Sequence, residues 1–261
     1  MPELPDVEVI KHYLDSTSLH QTIEKVTVRN PKILGNVSPR VLREALTARK
    51  FQTTRRHGKY LLVHLDGGSW LTLHFGMTGR LEYFGDICED PRYDRLRIDF
   101  VNGFHLAYVC QRMLGEVDLA EDAESFIKGK NLGPDAFGLD FTTFRNIIRG
   151  RRGAIKSTLM NQRRIAGIGN IYADEILFQT GLHPNTVPDR LDEEMLRRLF
   201  QGMKGVLQTA IDHHADSRRL PRTYVLRQRH KGGTCPRCKV ELRRVKISGR
   251  TAYYCPRCQA A

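Results

Sequence analysis

The sequence predicts an α+β protein in which a β-rich first half is followed by a helical second half and a small hairpin at the C-terminus. Three observations carry this. Short apolar or alternating runs punctuated by turn residues fill 22–109, apolar residues recur with a period near 3.6 from 141 to 211, and four cysteines form two close pairs at 235–258. A chain of 261 residues is long enough for two packed cores.

The elements follow in order. Val7, Ile10 and Leu14 fall at helical spacing over 6–14, and Pro5 stands near the helix start, where its missing N–H costs nothing. Runs at 59–65, 70–75, 81–84, 96–100 and 104–109 read as strands, and Asp66-Gly67-Gly68 and Asn102-Gly103 suit tight hairpins because they tolerate positive φ. Such a set packs as a sandwich or a barrel. An acidic connector begins around Glu116, so the first domain is drawn at 1–120, the connector at 121–139, the helical domain at 140–216, and a basic segment with the cysteine pairs at 217–261. Helices are expected at 141–148, 155–160, 171–179 and 193–211.

Lysine and arginine number 42 against 29 aspartate and glutamate, a net charge of +13. Such an excess attracts a polyanion, and nucleic acid is the leading candidate. The basic residues cluster at 49–59, 145–164 and 218–250, while 86–94 and 118–124 are acidic, the unevenness expected of a binding face. The longest apolar runs fall far short of the roughly 20 residues needed to cross a bilayer. The first residues, with two prolines and two acids, lack the pattern of a secretory signal, so a cytoplasmic location is expected.

Cys235 and Cys238 form one pair, Cys255 and Cys258 another, and sixteen residues lie between the pairs. That spacing suits one zinc ion held tetrahedrally by four thiolates, which closes the open end of a hairpin turning at Ser248-Gly249 and places Arg250 near its tip. Four thiolates leave no position for water, so the metal is structural. Cys88 and Cys110 read as ordinary unpaired thiols, and none of the ten histidines has metal or triad spacing.

Pro2 follows Met1, and removal of Met1 leaves a secondary amine. An α-amino group titrates at about 7.7 to 8.0, low enough to act as a nucleophile at neutral pH, and Glu3 stands beside it for proton transfer. Further motifs accompany this one: Met1-Pro2-Glu3-Leu4-Pro5-Asp6-Val7-Glu8, Arg56-His57-Gly58-Lys59-Tyr60-Leu61-Leu62, His74-Phe75-Gly76-Met77-Thr78-Gly79, Gly167-Ile168-Gly169-Asn170-Ile171-Tyr172-Ala173, and the four cysteines occur in one order. In these motifs the chain closely resembles the formamidopyrimidine-DNA glycosylase and endonuclease VIII family, from Pro2 to Cys258.

The resemblance implies an N-terminal β-sandwich, a helix-two-turn-helix domain and a β-hairpin zinc finger. It implies a monomeric bifunctional enzyme of base excision repair, a DNA glycosylase and abasic-site lyase that removes oxidised bases from double-stranded DNA by β,δ-elimination. Pro2 is then the nucleophile, Glu3 the proton donor to the opening sugar, and Lys59 a phosphate ligand that supports the reacting sugar. Gly167-Ile168-Gly169 follows no strand and lacks the third glycine of a dinucleotide fingerprint. It is expected to be a tight turn whose following helix offers free N–H groups to phosphate, with Asn170, Lys156 and Arg250 completing the clamp. Met77, Arg112 and Leu114 are expected to fill the space that a flipped nucleotide leaves.

Two departures qualify the resemblance. Cys110, Gln111, Met113 and Leu114 replace the Asp, Pro, second Arg and Phe of the bacterial oxoguanine-type pattern, so no opposite-base preference carries over. The segment 212–234 is about ten residues shorter than its counterpart, which contains a flexible loop capping 8-oxoguanine. Weak 8-oxoguanine excision and better activity on formamidopyrimidines, hydantoins or oxidised pyrimidines are therefore expected. The rival reading is a non-catalytic, damage- or structure-specific DNA-binding protein on the same scaffold, for which a retained Met1 would be the signature.

Overall fold

Apolar residues at helical spacing open the chain as α1 (Leu4–Ser18), longer at both ends than its periodic core, with Val7 and Leu14 buried. The computed structural model describes residues 1–85 and 90–259; Cys88 lies outside the described residues. The chain forms two units, one of Met1–Pro2 and Asp6–Asn131, the other of Glu3–Pro5 and Leu132–Ala261.

The first unit is built on two antiparallel four-stranded sheets. One has the order β1 (Ile23–Val28), β6 (Asp94–Phe100), β7 (His105–Cys110), β5 (Gly79–Phe84). The other runs β2 (Phe51–His57), β3 (Tyr60–Leu65), β4 (Trp70–His74), β8 (Glu116–Ala120). Side chains from both sheets, among them Phe51, Leu61, Val63, Leu71, Ile98, Phe100 and Leu106, join one core with Leu14 of α1. This is the burial that alternating strands require. Gly68 and Gly103 take positive φ, +90° and +83°, in the β3–β4 and β6–β7 turns.

Four elements here differ from the sequence expectation. Glu116–Ala120 is a strand paired with β4, Trp70 opposite Ala120 and His74 opposite Glu116, rather than the start of a connector. Its acids conceal the alternation: Val117 is buried with the core, while Asp118 is buried on the other face and accepts the Asn36 N–H at 3.0 Å. β2 is an edge strand whose polar residues suit a half-exposed position, and α2 (Pro39–Leu46) begins at Ser38, which accepts the Val41 N–H. A short helix, α3 (Ala123–Gly129), capped by Asp122, lies within the first part of the expected connector.

The second unit contains α4 (Phe141–Ile148), α5 (Ile155–Met160), α6 (Asn170–Thr180) and α7 (Glu193–Asp212), within one residue of each expected end. Asp140 and Asp192 cap α4 and α7 by accepting the N–H three residues on, and Gly181 at φ +71° ends α6. Apolar faces of all four helices meet in one core, which also takes Leu4. The terminal hairpin pairs β9 (Arg243–Ile247) with β10 (Arg250–Tyr254). Ser248 and Gly249 are both at positive φ, the two-residue turn that matches strand twist. Among the described residues no helix is long and apolar enough to cross a membrane.

Candidate functional site

Glu3 is buried, and its carboxylate lies on the N-terminal turn of α6. It accepts the main-chain N–H of Gly169 at 2.7 Å, Ile171 at 2.9 Å and Tyr172 at 3.2 Å, and the adjacent Leu4 N–H donates to the Gly167 carbonyl at 3.1 Å. The glycines are explained by this approach. A Cβ on Gly169 would stand 2.3 Å from Glu3 Cδ, and one on Gly167, at φ +113°, would stand 2.6 Å from Leu4 Cδ1. The expectation of free N–H groups for phosphate at this helix end is therefore corrected. A carboxylate from the start of the chain occupies them, the ligand that a helix N-terminus favours. Gln162 fixes the turn from below, accepting the Gly167 N–H and donating to the Ile168 carbonyl at 2.7 Å.

Lys156, on α5, is fully buried. Its ammonium pairs with Asp174 at 2.5 Å and donates to Asn170 Oδ1 at 2.7 Å and, at 3.4 Å, to the Thr251 carbonyl. Burial pulls its pKa down, and Asp174 opposes that pull. The expectation that Lys156 meets phosphate directly is thus corrected, since the ammonium is enclosed and orients Asn170 instead. Asp174, also fully buried, gathers two further donors: Arg229 Nε at 2.9 Å and the Tyr253 N–H at 3.1 Å. Arg250 is exposed and opens β10, its guanidinium touching Met160 Sδ of α5 at 3.7 Å. Lys156 and Asn170 are therefore brought together, and Asp174 and Arg229, which carried no sequence motif, join them, while Arg250 adjoins Thr251, whose carbonyl Lys156 meets.

In the first unit Pro2 is half-buried behind an exposed Met1. Lys59 is 9% exposed and follows Gly58, which takes φ +57° in the β2–β3 turn. Arg56 steadies that turn by pairing with Glu8 at 2.5 Å and donating to the Gly58 carbonyl. His74 is held toward its neutral form, first by burial and then by the Lys59 ammonium, and its Nδ1 accepts the Gly76 N–H at 3.3 Å. Met77 and Leu114 are 39% and 52% exposed, unusual for such side chains. Their two loops touch: a Cβ on Gly76 would meet the Leu114 carbonyl at 2.3 Å, and the Arg112 N–H donates to Thr78 Oγ1 at 3.1 Å. The structure thus places Met77, Arg112 and Leu114 on one exposed patch.

The four cysteine sulfurs of Cys235, Cys238, Cys255 and Cys258 lie within 4.8 Å of one another. Cys235 and Cys258 are 3.8 Å apart and Cys238 and Cys255 3.4 Å. Tetrahedral zinc with bonds near 2.3 Å sets sulfurs about 3.8 Å apart, so these residues fit one structural zinc. Cys110, buried in the sandwich core, is a free thiol.

Comparison with known proteins agrees with this layout. Residues 1–117 match the family model of the formamidopyrimidine-DNA glycosylase N-terminal domain, 132–221 that of the formamidopyrimidine-DNA glycosylase H2TH domain, and 232–261 the zinc finger found in FPG and IleRS. Curated formamidopyrimidine-DNA glycosylases of Heliobacterium modesticaldum and Moorella thermoacetica are 38% and 37% identical to the chain. Each alignment covers 99% of this chain, and 100% and 92% of the relative. A solved complex of wild-type Lactococcus lactis Fpg (MutM) with DNA containing N7-benzyl-Fapy-dG superposes with a TM-score of 0.89 at 27% identity over the whole of both chains. A second, between Lactococcus lactis Fpg and DNA containing an abasic site, gives 0.87. Sandwich, helix-two-turn-helix domain and four-cysteine hairpin together define a zinc-finger DNA-repair glycosylase. The chain belongs to the formamidopyrimidine-DNA glycosylase family, in which abasic-site lyase activity is typical.

Proposed function

We propose that this protein is a bifunctional DNA glycosylase and abasic-site lyase of base excision repair, acting as a cytoplasmic monomer on oxidised bases in double-stranded DNA. The observation that carries this reading is the Glu3 carboxylate, locked by three main-chain N–H groups one residue after Pro2. Once Met1 is removed, the lone pair of the Pro2 nitrogen attacks C1′ of the damaged nucleotide. The C1′–N bond breaks and its electron pair leaves with the base, which takes up a proton. Glu3 takes up the proton that the Pro2 nitrogen sheds and passes it to O4′ as the sugar ring opens, and a proline iminium remains. Loss of a C2′ proton expels the 3′ phosphate, and a second elimination expels the 5′ phosphate. Lys59 pairs with phosphate and stabilises charge at the reacting sugar.

In this reading 1–120 carries the nucleophile, 121–139 connects, 140–216 brings Asn170 to the phosphates, and 217–261 brings Arg250. Lys156 acts through Asn170. Met77, Arg112 and Leu114 enter the duplex where the nucleotide leaves it, offsetting part of an unstacking cost of a few kcal/mol. The short 212–234 segment supports a spectrum of formamidopyrimidines, hydantoins or oxidised pyrimidines over 8-oxoguanine. Arg227 ties it down by donating to the carbonyls of Ser217, Arg218 and Leu220, and Leu220 and Tyr224 are packed into the helical core. In this reading a segment tied down in this way is poorly suited to close over a purine.

Borohydride trapping tests the reading. The mature protein, a Pro2→Gly variant and a form that retains Met1 are mixed with duplex containing an abasic site. A covalent adduct and strand cleavage that need a free Pro2 are expected. Tight binding without adduct or cleavage would instead favour the non-catalytic reader.

A further inference from the structure

We propose that a groove beside α5 is an additional phosphate site, one that takes the DNA backbone outside the lesion. This rests on the DNA-binding reading above and extends the binding surface beyond Asn170 and Arg250. The groove has a volume of about 430 Å³ and is lined by Arg151, Arg152, Ser157, Thr158, Asn161 and Arg164, with Gly150 and Gly153 completing the wall. Its lining includes three arginines and three residues with hydroxyl or amide side chains, and no acidic residue. Asp189, an acid close by, is turned to the backbone, accepting the Gly150 N–H at 3.2 Å.

Each part suits a phosphodiester. Arg151 is oriented by its Nε donating to the Ile147 carbonyl at 3.3 Å, which leaves the fork ends of its guanidinium for an anion. Arg164 Nη1 is buried with no hydrogen-bond partner among the described residues, a group that costs free energy until an acceptor reaches it. Asn161 spends its Oδ1 on the Arg163 N–H and so presents its amide N–H groups. Three arginines with Asp189 as the one acid described beside them leave an excess of positive charge, and a polyanion relieves that repulsion. A DNA backbone is favoured over a free anion because the groove runs on from the expected binding surface. Ser157, in its lining, meets Ser248 at the hairpin tip, Oγ to Oγ 2.6 Å, two residues before Arg250.

The test is the salt dependence of binding to a duplex holding a non-cleavable abasic analogue, for the zinc-loaded full chain. Arg151→Gln/Arg152→Gln/Arg164→Gln is compared with the unaltered protein. Because Arg164 is partly buried, Arg151→Gln/Arg152→Gln is measured as well. Arg40→Gln/Arg43→Gln, on exposed positions of α2, controls for net charge. The groove variants are expected to bind about 10-fold or more weakly at physiological salt and to lower the slope of log K against log salt by about 1 for each phosphate that is no longer neutralised. The α2 control is expected to leave the slope unchanged.

Equal behaviour of groove and control variants would overturn the proposal. So would a rise in melting temperature with inorganic phosphate that the groove variants lose while DNA binding stays intact, since that marks a free-anion site. Failure of the unaltered protein to bind the abasic duplex would instead remove the DNA-binding reading underneath.

Discussion

The Glu3 carboxylate and the Gly169 amide meet at 2.7 Å, and the missing side chain of Gly169 is what permits it. In Gly169→Ala the added carbon has no room unless Glu3 withdraws. Glycosylase turnover is expected to fall about 100-fold, the effect of an ångström-scale misplacement at a reacting centre, with about 1–3 kcal/mol lost from stability. Single-turnover rates beside urea unfolding check this, and an unaltered rate would mean that Glu3 is not needed where it sits.

Glu175 ties α6 to the segment that precedes the finger, accepting the N–H groups of Val225 and Leu226 and an amide N–H of Gln179. Burial raises its pKa from 4.5 to about 7. Between those values the folded protein holds a proton that the unfolded chain has lost, so stability falls as pH rises through the window, by up to about 1.4 kcal/mol per unit. Glu175→Gln is expected to flatten this slope. Urea midpoints at about pH 5 and about pH 7.5 provide the measurement, and parallel slopes in the two proteins would contradict it.

Asp174 neutralises two cations, the buried Lys156 and the half-buried Arg229. Asp174→Asn strands both, with an expected destabilisation of about 3–5 kcal/mol. Combining it with Lys156→Met should recover part of that loss, because one stranded charge is then gone. A double-mutant cycle by chemical denaturation checks the coupling; simple additivity would argue against it.

Zinc removal should melt the hairpin and release the Tyr253 N–H from Asp174. Chelation, or Cys255→Ser, is expected to abolish tight binding to abasic DNA while the sandwich stays folded. Metal content, circular dichroism and DNA binding followed on one sample decide the matter.

Met77→Ala and Leu114→Ala alter exposed side chains and should change stability by no more than about 0.5 kcal/mol. On duplex substrate kcat/KM is expected to fall about 10-fold, as about 1.4 kcal/mol of offset for unstacking is lost. Single-stranded substrate, which has no stack to open, should show little change.

Much of this was legible in the sequence because the signals were local. Apolar periodicity located the four helices of the second unit, and the cysteine spacing located the metal centre. What escaped was set by distant partners. Nothing near Gly169 signals a carboxylate 166 residues earlier in the chain, so its helix end read as a vacant phosphate site. Lys156 read as a direct phosphate ligand because only the fold brings Asp174 and Thr251 around it. β8 was hidden by acids whose burial depends on the loop at Asn36.

The Glu3 carboxylate is held by main-chain N–H groups of Gly169, Ile171 and Tyr172, which follow it only much later in the chain. That carboxylate therefore has no fixed seat until the turn before α6 has been made and folded. On the proposed mechanism this makes folding of the helical domain a completion check: a chain without its α6 turn lacks the arrangement that positions Glu3 as a proton donor.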